Sequence, residues 1–246
     1  MMTPEKALLL AGKKVIVLGG TSGIGLATAK AAAAEGAHVT VASGNADRVA
    51  AALEVLPSGS SGYTANLGEE QAIRELFEKT GPLDHLVYTA GENLKLDPIS
   101  GMDLEAAKAF FNIRYWGALA AVKYAAPLIR DGGSINLTGG IAAARPGVGW
   151  SIGASICGAM EAFTRAMAVE LAPVRGNLVA PGVIKTNLWN GFAEQDRSAL
   201  FDTVAQSALV KRVGEADDIA KAFLYLMTQS FCTGQSLVVD GGSVLV

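Results

Sequence analysis

The first residues whose types and spacing could do chemistry are Gly19-Gly20-Thr21-Ser22-Gly23-Ile24-Gly25. They follow an apolar run, Lys14–Leu18, and open an Ala-rich stretch that stops at Gly36. Glycines let a backbone turn sharply and come close to a pyrophosphate. A helix opening at that point aims unpaired N–H groups and its positive dipole end at the phosphates. The spacing is G-x3-G-x-G rather than G-x-G-x-x-G, so the order strand, glycines, helix carries the reading. The alternative is a tight turn that holds no ligand. An acid about 20 residues beyond such glycines would bond the ribose 2′-hydroxyl of NAD. Here the second apolar run ends Val41-Ala42-Ser43-Gly44-Asn45, without an acid. Ser43 and Asn45 can donate to a 2′-phosphate, and Arg48 is the nearest cation, although it reads equally well as a solvated helix residue. NADP(H) is therefore favoured over NAD(H).

These residues need a scaffold, and the chain alternates β-branched runs with helix-forming stretches. Strands are predicted at Lys14–Leu18, His38–Ala42, Gly62–Ala65, Leu86–Thr89, Ser134–Thr138, Asn177–Ala180 and Ser236–Val239. Helices are predicted at Gly23–Glu35, Ala46–Leu56, Glu69–Lys79, over a long region 103–130, at Ser151–Leu171 and at Ala216–Thr228. Strands separated by helices make βαβ units, hence a parallel sheet covered on both faces by right-handed crossovers. No linker, repeat or low-complexity tract interrupts the pattern, so 1–246 is expected to be one domain. The region about 183–212 has no clear strand and carries Trp189 and Phe192; it reads as a substrate loop or lid, or as a surface excursion with one short helix.

Composition sets the outer bounds. Half of the 246 residues are apolar, 17% are charged and the net charge is −3. That excludes disorder and any basic nucleic-acid surface. The apolar run Ala7–Ala11 is too short for a signal-peptide core or a membrane span. Two cysteines, Cys157 and Cys232, and two histidines, His38 and His85, give neither a disulfide framework nor metal spacing, and a reducing cytoplasm is the expected compartment.

Six segments then carry a resemblance. GGTSGIG at 19–25, LDHLVYTAG at 83–91, SINLTGG at 134–140, EAFTRAMAVELAP at 161–173, NLVAPGVIKT at 177–186 and TGQSLVVDGG at 233–242 resemble the short-chain dehydrogenase/reductase superfamily over nearly the whole chain. The resemblance implies a doubly wound Rossmann fold, with a seven-stranded parallel sheet in the order 3-2-1-4-5-6-7. It implies cofactor contacts from Gly19, Thr21, Ser22, Gly23, Ile24 and Gly25, and from Asn66 and Leu67 near the adenine, where Asn66 replaces the usual Asp. It also implies contacts from Ala90 and Gly91, and from Pro181, Gly182, Ile184 and Thr186 around the nicotinamide. The family's catalytic residues do not carry over. Its Tyr-x-x-x-Lys pair, an acid/base phenol and a cation that lowers the phenol pKa, falls on Gly153 and Cys157. Its assisting Ser falls on Gly139, or on Gly140 if the loop is one residue shorter. Its Asn falls on Arg114, with Asn112 offset to another helix face. The segment Gly140-Ile-Ala-Ala-Ala-Arg-Pro146 resembles a divergent branch that keeps the cofactor site.

What chemistry remains centres on Arg114. A cation is lost at 157 and gained at 114, and on the implied fold both face one space. A guanidinium stays protonated, so it is no tuned acid, but it can polarise a carbonyl or stabilise developing negative charge. The structural alternative is that Arg114 fills a void and pairs with Glu92 or a backbone carbonyl. Cys157 reads as an inert core thiol. Glu92, Asn93, Trp150, Gly153 and Ser155 are expected to line a small-molecule substrate pocket, with Trp150 equally able to pack under the lid. Tyr115-Trp116 suggests a homo-oligomer, tetramer or dimer, through the helices 103–130 and 151–171. Three functions stay open: an NADP-preferring oxidoreductase with an atypical site, a non-redox catalyst such as an isomerase or cyclase, and a catalytically inactive NADP-binding or sensor protein.

Overall fold

The computed structural model describes residues 7–94 and 96–246. Strands β1 (Lys14–Leu18), β2 (His38–Ser43), β3 (Ser61–Thr64), β4 (Leu83–Tyr88), β5 (Ile129–Thr138) and β6 (Arg175–Pro181) join a last strand, Ser236–Val239, in one parallel sheet. Two short strands, β7 (Ile184–Lys185) and β8 (Gly214–Glu215), pair only with each other, so the last strand of the main sheet is β9. The order β3-β2-β1-β4-β5-β6-β9 is the expected seven-stranded, doubly wound arrangement.

Alternation along β1 divides the core between the two faces of the sheet. Successive side chains of a strand point to opposite faces. Ile16 and Leu18 join Leu76, Phe77, Leu86, Tyr88 and Leu137 on one face. Val15 and Val17 join Val39, Val41, Phe223 and Leu226 on the other. The first face is covered by α3 (Glu70–Thr80), α5 (Ala118–Ala125) and α6 (Ser151–Glu170), and the second by α1 (Gly23–Ala34) and α8 (Ala216–Thr228). The helix α2 (Ala46–Val55) connects β2 to β3, α4 (Leu104–Phe111) precedes α5, and α7 (Glu194–Ser207) lies in the lid region.

Three expectations need correction. The region 103–130 is not one helix: α4 gives way to a π-helical turn, Asn112–Gly117, before α5. Wide turns of this kind loosen the usual ladder, and here the Tyr88 hydroxyl donates to the Ile113 carbonyl at 2.5 Å. Nor does the helix reach 130, because Pro127, which lacks an N–H, falls in a 3₁₀ turn and the chain is already extended at Ile129. The strand therefore starts five residues before the predicted Ser134, with its register against β4 shifting around Asp131-Gly132-Gly133, where Gly132 takes φ 78°. Finally, the region about 183–212 holds a two-residue strand, β7, where the sequence shows no clear strand, and a helix of 14 residues, α7, where one short helix is the alternative to a lid.

A buried polar chain runs through the sheet. His85 Nδ1 lies 2.9 Å from Ser134 Oγ, and Asn136 Nδ2 donates to the same oxygen at 2.8 Å. A serine hydroxyl can accept twice and donate once, so this contact is satisfied with either tautomer of a neutral imidazole. Burial, with Arg175 second, lowers the His85 pKa to about 4. The unfolded chain, with His85 near about 6.5, then binds the extra proton first. Stability on this account is full above about pH 6.5 and falls as pH drops toward about 4, by up to ~3 kcal/mol. Urea titrations from pH 7.5 to 4 are expected to show this slope, and His85→Asn should flatten it; an unchanged slope in the variant would overturn the assignment to His85.

Candidate functional site

The glycine turn sits at the carboxyl ends of the parallel strands, and space there is tight. A Cβ on Gly19, which has φ 83°, would lie 2.6 Å from the Ala90 amide nitrogen. A Cβ on Gly25 would meet the Gly19 carbonyl oxygen and stand 2.5 Å from Thr89 Oγ1. Gly23 has φ 49°, and its missing Cβ would stand 3.3 Å from Thr186 Cβ. The turn after β1, Ala90-Gly91 after β4 and Thr186 after β7 are thus brought together, as the sequence predicts. Thr21 and Ser22 lie in the turn, Ser22 at the N-cap of α1 without a capping side-chain bond and with no acid in the first helical turn. Ile24 lies in that turn of α1 and accepts from Thr28 Oγ1 at 2.8 Å. This is a donor-lined cradle that could hold a phosphate group. Pro181 ends β6, and Gly182 abuts Asp240, its missing Cβ 2.9 Å from the Asp240 Cα.

The residues predicted for the adenosine end lie where β2 and β3 finish, and several of their side chains are already engaged. Asn45 caps α2, its Oδ1 accepting from Arg48 N at 2.8 Å, so only its Nδ2 is left as a donor. Ser43 Oγ accepts weakly from Asn45 N at 3.5 Å. Asn66 Oδ1 accepts from Gly68 N at 3.1 Å while its Nδ2 donates to Glu69 at 2.8 Å. Leu67 is buried in the core. Gly44 lies against Ala65 and Asn66, which joins the ends of β2 and β3.

Arg114 enters from the π-helical turn. Its guanidinium stands 2.6–2.9 Å from where a Gly91 Cβ would be, so a side chain at 91 would displace the guanidinium from its present place. It stacks on Phe110, 4.5 Å from the ring centroid, and Nη2 donates to the Glu92 carbonyl oxygen. Its Nε lies 3.9 Å from a Glu92 carboxylate oxygen, too far for a hydrogen bond, and this buried Nε–H has no acceptor among the described residues. Burial lowers the Arg114 pKa, with the Glu92 carboxylate the main opposing influence. Both structural partners weighed for Arg114 are therefore real, and one donor is left over. Asn112 turns away and donates to Gly68 O at 3.1 Å.

Cys157 faces the same space. Its Sγ lies 3.2 Å from where a Gly140 Cβ would be. Burial pushes the thiol up to about 11, with Arg114 foremost among the opposing influences and the Ala142 and Ala143 amides after it. Gly153 has open space beside it, a Cβ there meeting only Leu94 Cδ1 at 3.9 Å. The segment expected to be a lid adjoins this space through Leu94 and Asn93. Leu94 N donates to Leu188 O at 3.1 Å, and Asn93 Cβ comes within 3.8 Å of the missing Cβ of Gly191. Trp189 is buried, donates to Ile184 O at 2.8 Å and lies at ring-contact distance from Phe192, Phe201 and Trp150. Trp150 therefore packs against the lid. Ser155 does not belong to the pocket as expected: it is exposed, and its hydroxyl donates back to Ser151 O at 2.8 Å. Sequence reasoning missed Leu94, which carries no motif. It also missed Phe110, whose position four residues before Arg114 was a readable signal for a helical pair.

The fold defines a doubly wound α/β protein with a glycine turn at the strand carboxyl ends. A sequence-family profile described as enoyl-(acyl carrier protein) reductase matches residues 19–244. The short-chain dehydrogenase/reductase ucsE of an Acremonium species is 34% identical over 266 aligned positions, covering 99% of this chain and 100% of the relative. The crystal structure of a small-chain dehydrogenase in complex with NADPH superposes with a TM-score of 0.84 at 33% identity, over 96% of this chain and 100% of that one. The MalC reductase/Diels-Alderase from Malbranchea aurantiaca gives 0.89 at 27% identity, over 97% and 98%. The chain belongs to the short-chain dehydrogenase/reductase superfamily, a family of oxidoreductases. Among the described residues no helix is long and apolar enough to cross a membrane.

The buried, protonated state of Cys157 has a chemical consequence. A thiol near 11 holds very little thiolate at neutral pH. Iodoacetamide at pH 7.5 is expected to modify Cys157 at least tenfold more slowly in the native protein than in urea, read by peptide mass spectrometry. Equal rates would show the thiol to be activated.

Proposed function

We propose that the protein is an NADP(H)-dependent oxidoreductase with an atypical site, acting on a small carbonyl, imine or conjugated substrate. The observation that carries this reading is the largely buried Arg114 side chain, its Nε–H enclosed and without an acceptor among the described residues, set between Gly91, Cys157 and the open space beside Gly153. The glycine cradle fits a dinucleotide, because side chains are barred at Gly19 and Gly25 and no acid crowds the start of α1. The residues assigned to hold it are the turn 19–25, Ser43, Asn45, Asn66, Leu67, Ala90, Gly91, Pro181, Gly182, Ile184 and Thr186. When bound, the nicotinamide supplies or accepts a hydride.

The rest of the chemistry falls to this chain. Gly153 and Cys157 stand where the family usually has its acid/base Tyr and Lys, and neither can move a proton as that pair does. Arg114 instead polarises the reacting carbonyl or iminium-type group and stabilises charge that builds on it, which a buried guanidinium does with little reorganisation. Leu94, Trp150 and the lid exclude water. The absence of an acid at the end of β2 favours NADP(H) over NAD(H). A non-redox reaction in the same pocket is the second reading, supported by the likeness to a protein described as a reductase/Diels-Alderase. We assign the exposed side of α4–α6 to contact with a second copy, supported by Trp116, which is 56% exposed and packed edge-on to Tyr115 at 5.0 Å.

Thermal shift with NADPH, NADP, NADH and NAD tests the cofactor reading, since a ligand that binds only the native state raises its melting temperature. The phosphorylated pair is expected to give the larger shift; no shift with any of the four sinks it. For the reaction, Arg114→Ala should lower kcat/KM for NADPH-coupled reduction about 10²–10³-fold, the usual loss when a transition-state donor is removed. The NADPH-induced shift should be retained. Unchanged turnover would make Arg114 a packing residue.

A further inference from the structure

The edge of the sheet opposite the glycine turn holds a second concave site. Lys14 opens β1, His38 opens β2, Ser61 opens β3 and Arg130 is the second residue of β5. Together with Gly12 and Thr40 they line a cavity of about 260 Å³. In a parallel sheet all strand starts share one edge, so the five residues of β1, ~16 Å at ~3.3 Å each, separate this cavity from the cradle.

Its charge is unbalanced. The side chains of Lys13 and Arg130 and the backbone amide of Lys14 meet on one carboxylate, Asp84, whose side chain is 5% exposed, with the Lys14 ammonium nearby on the Thr80 carbonyl. Asp84 Oδ1 accepts from Lys13 Nζ at 3.1 Å, and Oδ2 accepts from Lys14 N at 2.8 Å and Arg130 Nη1 at 2.9 Å. Burial opposes ionisation of Asp84, but these donors outweigh it and hold its carboxyl below the usual range. Asp84 therefore stays negative, yet it neutralises only one of three cations. No carboxylate lines the cavity among the described residues. Burial first, and repulsion from Arg130 second, lower the Lys14 pKa. The Lys14 ammonium donates to the Thr80 carbonyl oxygen, which takes one of its three protons. Arg130 carries five N–H donors and the bond to Asp84 takes one.

We propose that this cavity binds a compact phosphate dianion, free or as a phosphomonoester, between Lys14, Arg130 and His38, with the hydroxyls of Ser61 and Thr40 as further donors. A guanidinium fork beside an ammonium point charge is a strong donor set for phosphate oxygens. The recess is concave and its polar groups converge, as small-ligand sites require. With the chain at net charge −3, the recess is a local positive site on an acidic protein. It is independent of the cofactor reading, being built at the opposite ends of the strands.

The test uses the whole protein with saturating NADPH, so that the glycine cradle does not compete for the probe. Inorganic phosphate and glycerol 3-phosphate are titrated by calorimetry and thermal shift, against chloride at matched ionic strength. The readout is the difference between wild type and each of two variants at exposed strand starts, His38→Asp and Ser61→Asp, so it stands whether or not NADPH binds. Wild type is expected to show a phosphate-specific shift, and each variant to bind at least tenfold more weakly. Stronger binding of the free ion names that source, and stronger binding of the ester names the other. Equal responses from wild type and both folded variants, or none beyond chloride, overturn the proposal.

Discussion

The approach of Gly19 to the backbone of Ala90 is the constraint on which the site depends. With the Cβ position 2.6 Å from the Ala90 amide, β1 and the end of β4 can close on each other only if residue 19 has no side chain. That closure sets the start of α1, brings Thr186 against Gly23, and leaves Gly91 where Arg114 can lie across it. A larger residue at 19 or 25 would separate these strand ends, which the hydrophobic core below could not correct, because interiors are too densely packed to absorb the displacement.

Arg114 depends on a different local arrangement. A regular helix from 103 to 130 would repeat every 3.6 residues, whereas the π-helical turn at 112–117 widens the spiral just where the arginine leaves it. Asn112 then anchors to Gly68, Ile113 gives its carbonyl to Tyr88, and Arg114 turns over Phe110 toward Glu92 and Cys157. One local distortion places three successive residues on three different neighbours, Asn112 and Arg114 by their side chains and Ile113 by its carbonyl.

Much of the fold was legible in the sequence because period and punctuation agree there: β1 reads KVIVL, the glycines follow, and Gly36 stops the helix. The cradle was legible for the same reason. Less legible were features set by contacts distant in sequence. Nothing in Asn112-Ile-Arg-Tyr-Trp-Gly117 announces a π-helical turn, which depends on a tyrosine hydroxyl from β4. The early start of β5 depends on a bulge that only pairing with β4 reveals. Asn45 and Ser155 have side chains that bond either a ligand or their own helix. Their spacing to Arg48 and Ser151 favours the helix, and local bonds of that kind compete well.

The pairing of β7 with β8 joins the two ends of the lid at Ile184–Lys185 and Gly214–Glu215. Everything between them, including Trp189 and α7, is a loop closed at its base, and it also reaches the rest of the molecule through Leu188 O on Leu94 N, Trp189 on Trp150 and Val210 N on Gly241 O. Insertions, deletions and substitutions within it need not propagate into the seven-stranded core. The enclosed segment is therefore a hinged flap whose near end, at Thr186, touches Gly23 of the glycine turn, so a change at that end is felt by the nucleotide half while a change in the distal α7 is not forced on it.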